Sequence, residues 1–280
     1  MHRYSRLTAL LFAAAFSLCP SGSAFAQADV PAARKHQEFG DIQASDLAAR
    51  LDHFANELQA HPDAKGFVIA YRSRRDLPGL SGRLMHLMRN YLIDNRQIAA
   101  ERVIGVDGGS ADCIAQELWV VPVGATPTPR ADAYENDFVD TDVARKFDEA
   151  ALFIPDNFPE PYHQHIYHSF EGFATALRKE PRSNAHVIAY PQYWVERLDE
   201  ENERGVKKTQ TRINRDPPGL ARKALALAKS ELVKKYGIAS SRIRLVNGGY
   251  RKWATLELWI VPPGAHAPIP TPNAFPRGRR

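Results

Sequence analysis

The chain repeats itself, and a repeat constrains a fold more than any motif, because each copy must then build the same hydrophobic core from the same elements. Phe54-Ala55, Leu58, Pro62 and Val68-Ile69-Ala70-Tyr71 recur as Phe173-Ala174, Leu177, Pro181 and Val187-Ile188-Ala189-Tyr190, at an offset of 119. Farther along the offset is 140: Arg75-Asp76-Leu77-Pro78-Gly79-Leu80 returns as Arg215-Asp216-Pro217-Pro218-Gly219-Leu220, Gly108-Gly109 as Gly248-Gly249, and Glu117-Leu118-Trp119-Val120-Val121-Pro122 as Glu257-Leu258-Trp259-Ile260-Val261-Pro262. The difference of 21 residues is an insertion in the second copy, between Tyr190 and Arg215. From Glu196 to Lys208 it holds four Glu, one Asp, two Arg and two Lys, the composition of a solvated excursion.

Each copy reads as the same series of elements. Leu47, Leu51, Phe54, Ala55 and Leu58 fall at helical spacing after Ser45, read as the N-cap, with Asp46 in the first turn. Phe67 to Tyr71 is a short apolar run with strand character. A second helix starts after Pro78-Gly79 and carries Leu84, Leu87, Met88, Tyr91 and Leu92 on one side; its counterpart carries Ala224, Leu227, Ala228, Leu232 and Val233. Val103 to Val106 and Ile243 to Val246 read as strands that turn at Asp107-Gly-Gly and Asn247-Gly-Gly into a last strand through Glu-Leu-Trp. A weaker strand near Gln37 to Ile42 pairs at an edge. The expected fold is α+β: two tandem modules, each a small mixed sheet with two helices on one face, in the order β-α-β-α-β-β. Their bounds are 27–124 and 145–265, with the insertion at about 191–214, a linker at 125–144 and a Pro-rich basic tail at 266–280. Neither linker nor tail is expected to pack.

Residues 1–26 read as a secretory signal peptide: His2, Arg3 and Arg6 precede the apolar run Leu7 to Leu18, and Ala24-Phe25-Ala26 supplies small residues before a cut at Gln27. The run is too short to span a bilayer about 30 Å thick, and no transmembrane segment follows, so the expected location is periplasmic or secreted. With Cys19 gone, Cys113 is the only thiol, which excludes an intrachain disulfide and reads as half-buried. Removing the leader leaves 35 basic against 32 acidic residues, and Arg277, Arg279 and Arg280 crowd the end, so the body is near neutral and no nucleic-acid groove is expected.

Lys235-Tyr236-Gly237-Ile238-Ala239-Ser240-Ser241-Arg242-Ile243, with Ile98-Ala99-Ala100-Glu101-Arg102-Val103 in the first copy, resembles the exit from the second helix in the peptidoglycan-associated (OmpA-like) domain family, found at the C-terminus of outer membrane protein A. The resemblance covers both copies in layout. It implies a diaminopimelate clamp made of an Asp after the second strand and an Arg at the second helix. Tyr71-Arg72-Ser73 stands where that Asp is expected, while Leu80-Ser81-Gly82-Arg83 is similar to the family's Leu-Ser-x-x-Arg with one residue deleted, and Leu220-Ala221-Arg222-Lys223-Ala224 is similar with Lys223 in the Arg position. Arg83 and Lys223 are therefore the carried-over cations.

The residues themselves suggest further sites. Arg75-Asp76 and Arg215-Asp216 are repeated, either as turn-and-cap devices or, through the arginines, as anion ligands. His163, His165 and His168 form His-x-His-x-x-His, a linker into a helix or a zinc or copper site. In the Glu-Leu-Trp strand, Leu118 and Val120 face the helices, which leaves Glu117 and Trp119, with Glu257 and Trp259, on the uncovered side. The first expectation is that the two uncovered faces pack against each other; the alternative is an aromatic platform for a sugar or peptide. The expected function is non-catalytic binding or scaffolding in the bacterial cell envelope, with peptidoglycan, a glycan or another envelope protein as partner and no cofactor. The alternatives are a weak peptidoglycan or glycan binder and a metal-dependent or hydrolytic enzyme using the His cluster.

Overall fold

The computed structural model describes residues 32–134, 142–152, 166–201, 207–217 and 219–273. Its class is α+β, with four α-helices and mixed sheets. In chain order, β1 (Arg34–Phe39), α1 (Ala44–Ala60), β2 (Lys65–Ser73) and α2 (Leu80–Asn90) lead through a π-helical turn into β3 (Val103–Ala111) and β4 (Ala115–Val121). Then come β5 (Arg145–Ala151), α3 (Phe170–Lys179), β6 (Asn184–Tyr190), β7 (Tyr193–Glu201), β8 (Lys207–Arg215), α4 (Leu220–Lys234), β9 (Ile243–Asn247) and β10 (Thr255–Val261).

Two four-stranded sheets have the same construction, β1-β4-β2-β3 and β5-β10-β6-β9. In each, the middle strands are antiparallel and the last pair, β2 with β3 or β6 with β9, is parallel, bridged by a helix. The edge strands repeat down to an irregularity: register shifts between Lys35 and Gln37 opposite β4, and between Trp259 and Leu258 opposite β5. Lys35 lies opposite Trp119 and Glu38 opposite Glu117, as Lys146 lies opposite Trp259 and Glu149 opposite Glu257. Lys-x-x-Glu is thus a third repeated motif, at an offset of 111, too short and too variable around its charges to stand out in the sequence.

Alternation along the strands builds the cores. Val68, Ala70, Leu118 and Val120 pack against Leu51, Phe54, Leu58, Leu84 and Met88 of α1 and α2. Val187, Ala189, Leu258 and Ile260 do the same against Phe173, Leu177, Leu225 and Leu232 of α3 and α4. Both helices of each core therefore lie on one face of their sheet. Two arginines tie the pieces together. Arg102 donates to the carbonyls of Leu58, His61 and Ala64, and Arg242 to those of Leu177, Glu180 and Ser183, so the guanidinium groups satisfy the open C-terminal ends of α1 and α3.

Several local expectations change. Helix α1 starts at Ala44 with Gln43 as its N-cap, rather than at Ser45. The expected hairpins do not form, because β2 lies between β3 and β4 and β6 lies between β9 and β10. Strand β3 runs on through Asp107-Gly108-Gly109 to Ala111 and the chain turns at Asp112 and Cys113, whereas β9 ends at Asn247 as expected. The glycines serve a close approach: a Cβ on Gly108 would lie 2.4 Å from the Tyr71 ring, and one on Gly248 2.3 Å from Tyr190. Asp107 and Asn247 each accept the N–H of the positive-φ glycine two residues on, Gly109 or Gly249. The charged insertion forms an antiparallel ribbon of β7 and β8, with Glu196 opposite Arg212 in register.

Candidate functional site

The helix-free face of each sheet carries a charged network centred on a buried carboxylate. Glu117 is fully buried. It accepts from Lys35 Nζ at 2.9 Å, Trp119 Nε1 at 2.9 Å and the Tyr71 hydroxyl at 3.3 Å, while Lys35 also reaches Glu38 at 2.7 Å. The second face repeats every member. Glu257 accepts from Lys146 at 2.8 Å, Trp259 Nε1 at 2.9 Å and the Tyr190 hydroxyl at 3.1 Å, and Lys146 also pairs with Glu149. The lysines stand over the indoles, 5.2 Å above Trp119 and 5.3 Å above Trp259. Strand spacing explains the assembly: Glu117 and Trp119 are two apart on β4, so they share a face with their neighbours on β1 and β2.

An arginine completes each network from a different place in the chain. Arg130, beyond β4, packs over the Tyr71 ring and reaches Glu38 at 3.3 Å. Arg251, before β10, lies 3.5 Å over the Tyr190 ring and bridges Glu149 at 2.7 Å and Glu257 at 2.8 Å. The segments read as unpacked connector and tail fold back over these faces. The backbone N–H of Arg130 donates to Tyr71, and that of Thr271 to Tyr190. Tyr134 bridges Ser110, and Asn273 donates its N–H to Tyr250. The reason is polar: a buried phenol oxygen that donates to Glu117 or Glu257 still has acceptor capacity, which a passing backbone N–H fills.

These contacts set the charge states. Burial works against the Lys35 and Lys146 ammonium groups, but their hydrogen bonds to two glutamates each outweigh it and hold both above the ordinary 10.5. Burial likewise disfavours ionised Glu257, yet the donors Lys146, Trp259 and Arg251 pull its pKa below 4.5. Tyr71 is pushed up to about 12, by burial first and then by Glu117.

Glu117 with Trp119 and Glu257 with Trp259 are thus each brought together. The uncovered faces do not meet. The hydrophobic cluster around Trp119 contains Ile69, Tyr71, Ala111, Ala115 and Val121, all from the first copy, with Ala125 and Ala133 of its own returning segment. The strap leaves Trp119 only 7% exposed, so the first face offers no bare platform.

Arg83 is committed elsewhere. Its guanidinium, buried on α2, meets the fully buried Asp148 of β5 at 3.0 Å, and the Ser169 hydroxyl donates to the same carboxylate. Beside this pair, Gly79 N–H donates to the Phe147 carbonyl at 2.9 Å, so α2 of one copy is bonded to the edge strand of the other. Lys223 is exposed on α4. Asp76 accepts the Ser73 N–H as a local turn device, whereas Asp216 accepts the Gln192 N–H across the base of the β7–β8 ribbon; Arg75 and Arg215 are exposed, the latter near the Tyr250 ring. Cys113 is exposed rather than half-buried, because the turn that carries it projects past the sheet. His163 and His165 lie outside the described residues; His168 lies 3.4 Å from the Asn90 amide of α2. Among the described residues no group of three or more His, Cys, Asp or Glu side chains is arranged to hold a metal ion. No helix among them is long and apolar enough to cross a membrane.

What sequence reasoning missed is the closing half of each network: Lys35, Glu38 and Arg130, and Lys146, Glu149 and Arg251. The only signal was the shared Lys-x-x-Glu spacing. Compared with family models, curated proteins and solved structures, the chain matches none.

Proposed function

We propose that the chain is an exported, non-catalytic binding or scaffolding protein of the bacterial cell envelope, built from a duplicated OmpA-like unit. The leader-like N-terminus and the twice-used element order support this reading. One observation carries it. Arg83, the cation that the resemblance assigns to a carboxylate ligand, holds a carboxylate of its own chain, Asp148, and so joins two sheets into one support. A cation spent inside the molecule is unavailable for a peptide-stem clamp, and Lys223 alone remains exposed at the equivalent place.

Expression of the full chain with its leader, followed by cell fractionation and intact-mass measurement, tests the proposal. The expected result is a mature chain beginning at Gln27, recovered with the envelope fraction, that releases no soluble fragments from purified sacculi. Retention of the unprocessed chain in the cytoplasm, or release of such fragments, would overturn it.

A further inference from the structure

The turn between β9 and β10 presents Trp253 with 76% of its surface exposed. It is held, not loose. Lys252 N–H donates to Asn273 Oδ1 at 2.8 Å, the Thr255 hydroxyl donates to the Trp253 carbonyl at 2.8 Å, and the Arg251 backbone is bonded on both sides, to the Pro191 carbonyl and the Tyr193 N–H. A large apolar ring kept in water by a braced turn offers its surface to something.

Trp253 borders two clefts. One, of about 580 Å³, is lined by Lys146, Glu149, Arg251, Thr271 and Asn273. The other, of about 470 Å³, is mainly apolar, lined by Ala150, Ala151, Leu152 and Ala254. In the polar cleft Lys146 and Arg251 are matched by Glu149 and Glu257, so neither an anion nor a cation finds an unmatched charge there. Hydroxyl groups do find partners, because guanidinium, carboxylate, amide and threonine side chains are fixed in place by one another and retain hydrogen-bonding capacity. A ligand that suits both clefts is uncharged, rich in hydroxyls and able to lay an apolar face on an indole.

We propose that Trp253, with Glu149, Arg251 and Asn273, forms a binding site for a neutral glycan, the sugar ring stacking on the indole and its hydroxyls entering the polar cleft. An acetamido methyl fits the apolar cleft, so N-acetylated sugars bind best. The first copy has Cys113 in place of Trp253 and Ala111 in place of Arg251, so it does not repeat the site. This inference rests on the reading of the chain as a binding protein and gives that reading a ligand class.

Titration of the purified mature chain with chitotetraose, an oligomer of N-acetylglucosamine, followed by calorimetry and tryptophan fluorescence, tests it; cellotetraose is the comparison without acetamido groups. The expected result is a single site, a change in tryptophan emission, weaker binding of cellotetraose, and a loss of at least about tenfold in affinity in W253A. W253F should keep part of the binding, and Trp194→Ala, which lines neither cleft, should keep all of it. Thermal melts of W253A should match the parent, since the side chain is exposed. Absence of binding to both oligosaccharides, two equal sites, or affinity unchanged in W253A would overturn the site. Loss of the site with continued recovery in the envelope fraction would leave the proposed function standing, whereas cytoplasmic retention would remove that function whatever the titration gave.

Discussion

Glu117 and Glu257 each gather a lysine, a tryptophan and a tyrosine around one carboxylate, and their replacement is costly for a definite reason. Removing the carboxylate leaves the Trp119 indole N–H and the Tyr71 hydroxyl without their buried acceptor and Lys35 with Glu38 alone, so Glu117→Ala should destabilise the protein by about 3 kcal/mol, while Glu38→Ala, whose carboxylate is more exposed, should cost under about 1 kcal/mol. Denaturant melts of the two variants check the ranking. The same contacts dictate a pH window. Glu257 is depressed in the folded state, so its stabilisation is complete above the unfolded value of 4.5 and fades as pH falls through the folded pKa. Lys35 and Lys146 are raised, and Tyr71 is raised to about 12, so their contributions are complete below the unfolded values of 10.5 and 10.0 and fade as pH rises through the folded ones. Melts across the pH range should show a plateau between these limits with losses at both ends, and phenolate absorbance should show Tyr71 titrating later than an exposed tyrosine. A flat profile in acid would contradict the role given to Glu257. In the sequence only the Glu-Leu-Trp half of each network was legible, because period-two alternation assigns faces within one strand but cannot say which residue of another strand lies opposite.

Elements were more legible than their ends. The helices α1, α2 and α4 and the strands β2 and β10 follow from apolar periodicity, which burial of one face requires, although α4 buries Leu225 and leaves Leu227, expected on its inner side, exposed. The hairpins expected at the glycine pairs do not form, because local turn signals do not say which strand a strand pairs with, and β2 or β6 lies between the two arms; the glycines instead make room for a tyrosine ring. Gly248→Ala should therefore destabilise by about 1–3 kcal/mol through overpacking against Tyr190, and the double variant with Tyr190→Leu should recover part of the loss. Arg102 and Arg242 were visible only as letters in a matching motif. Their donors close the C-terminal ends of α1 and α3, so Arg102→Ala and Arg242→Ala should each cost about 2 kcal/mol, measured by chemical denaturation, with hydrogen-exchange protection lost first in the last turn of the corresponding helix.

At the level of the whole molecule, Arg83 and Asp148 decide whether the two cores unfold together. Removal of one partner strands a buried charge, so Asp148→Ala should lower stability by about 3–5 kcal/mol. Scanning calorimetry should also split one transition into two, as the α2–β5 connection weakens. A single unsplit transition in that variant would show that other contacts keep the cores coupled. The arginines over Tyr71 and Tyr190 carry a different lesson. Arg130 follows the last strand of its sheet and Arg251 precedes it, yet both bring a guanidinium over the same ring and onto the same glutamate of the edge strand. A guanidinium over that ring is thus demanded by the face and not by any one stretch of chain, so the two networks coincide in space at a point where no single offset along the sequence relates them.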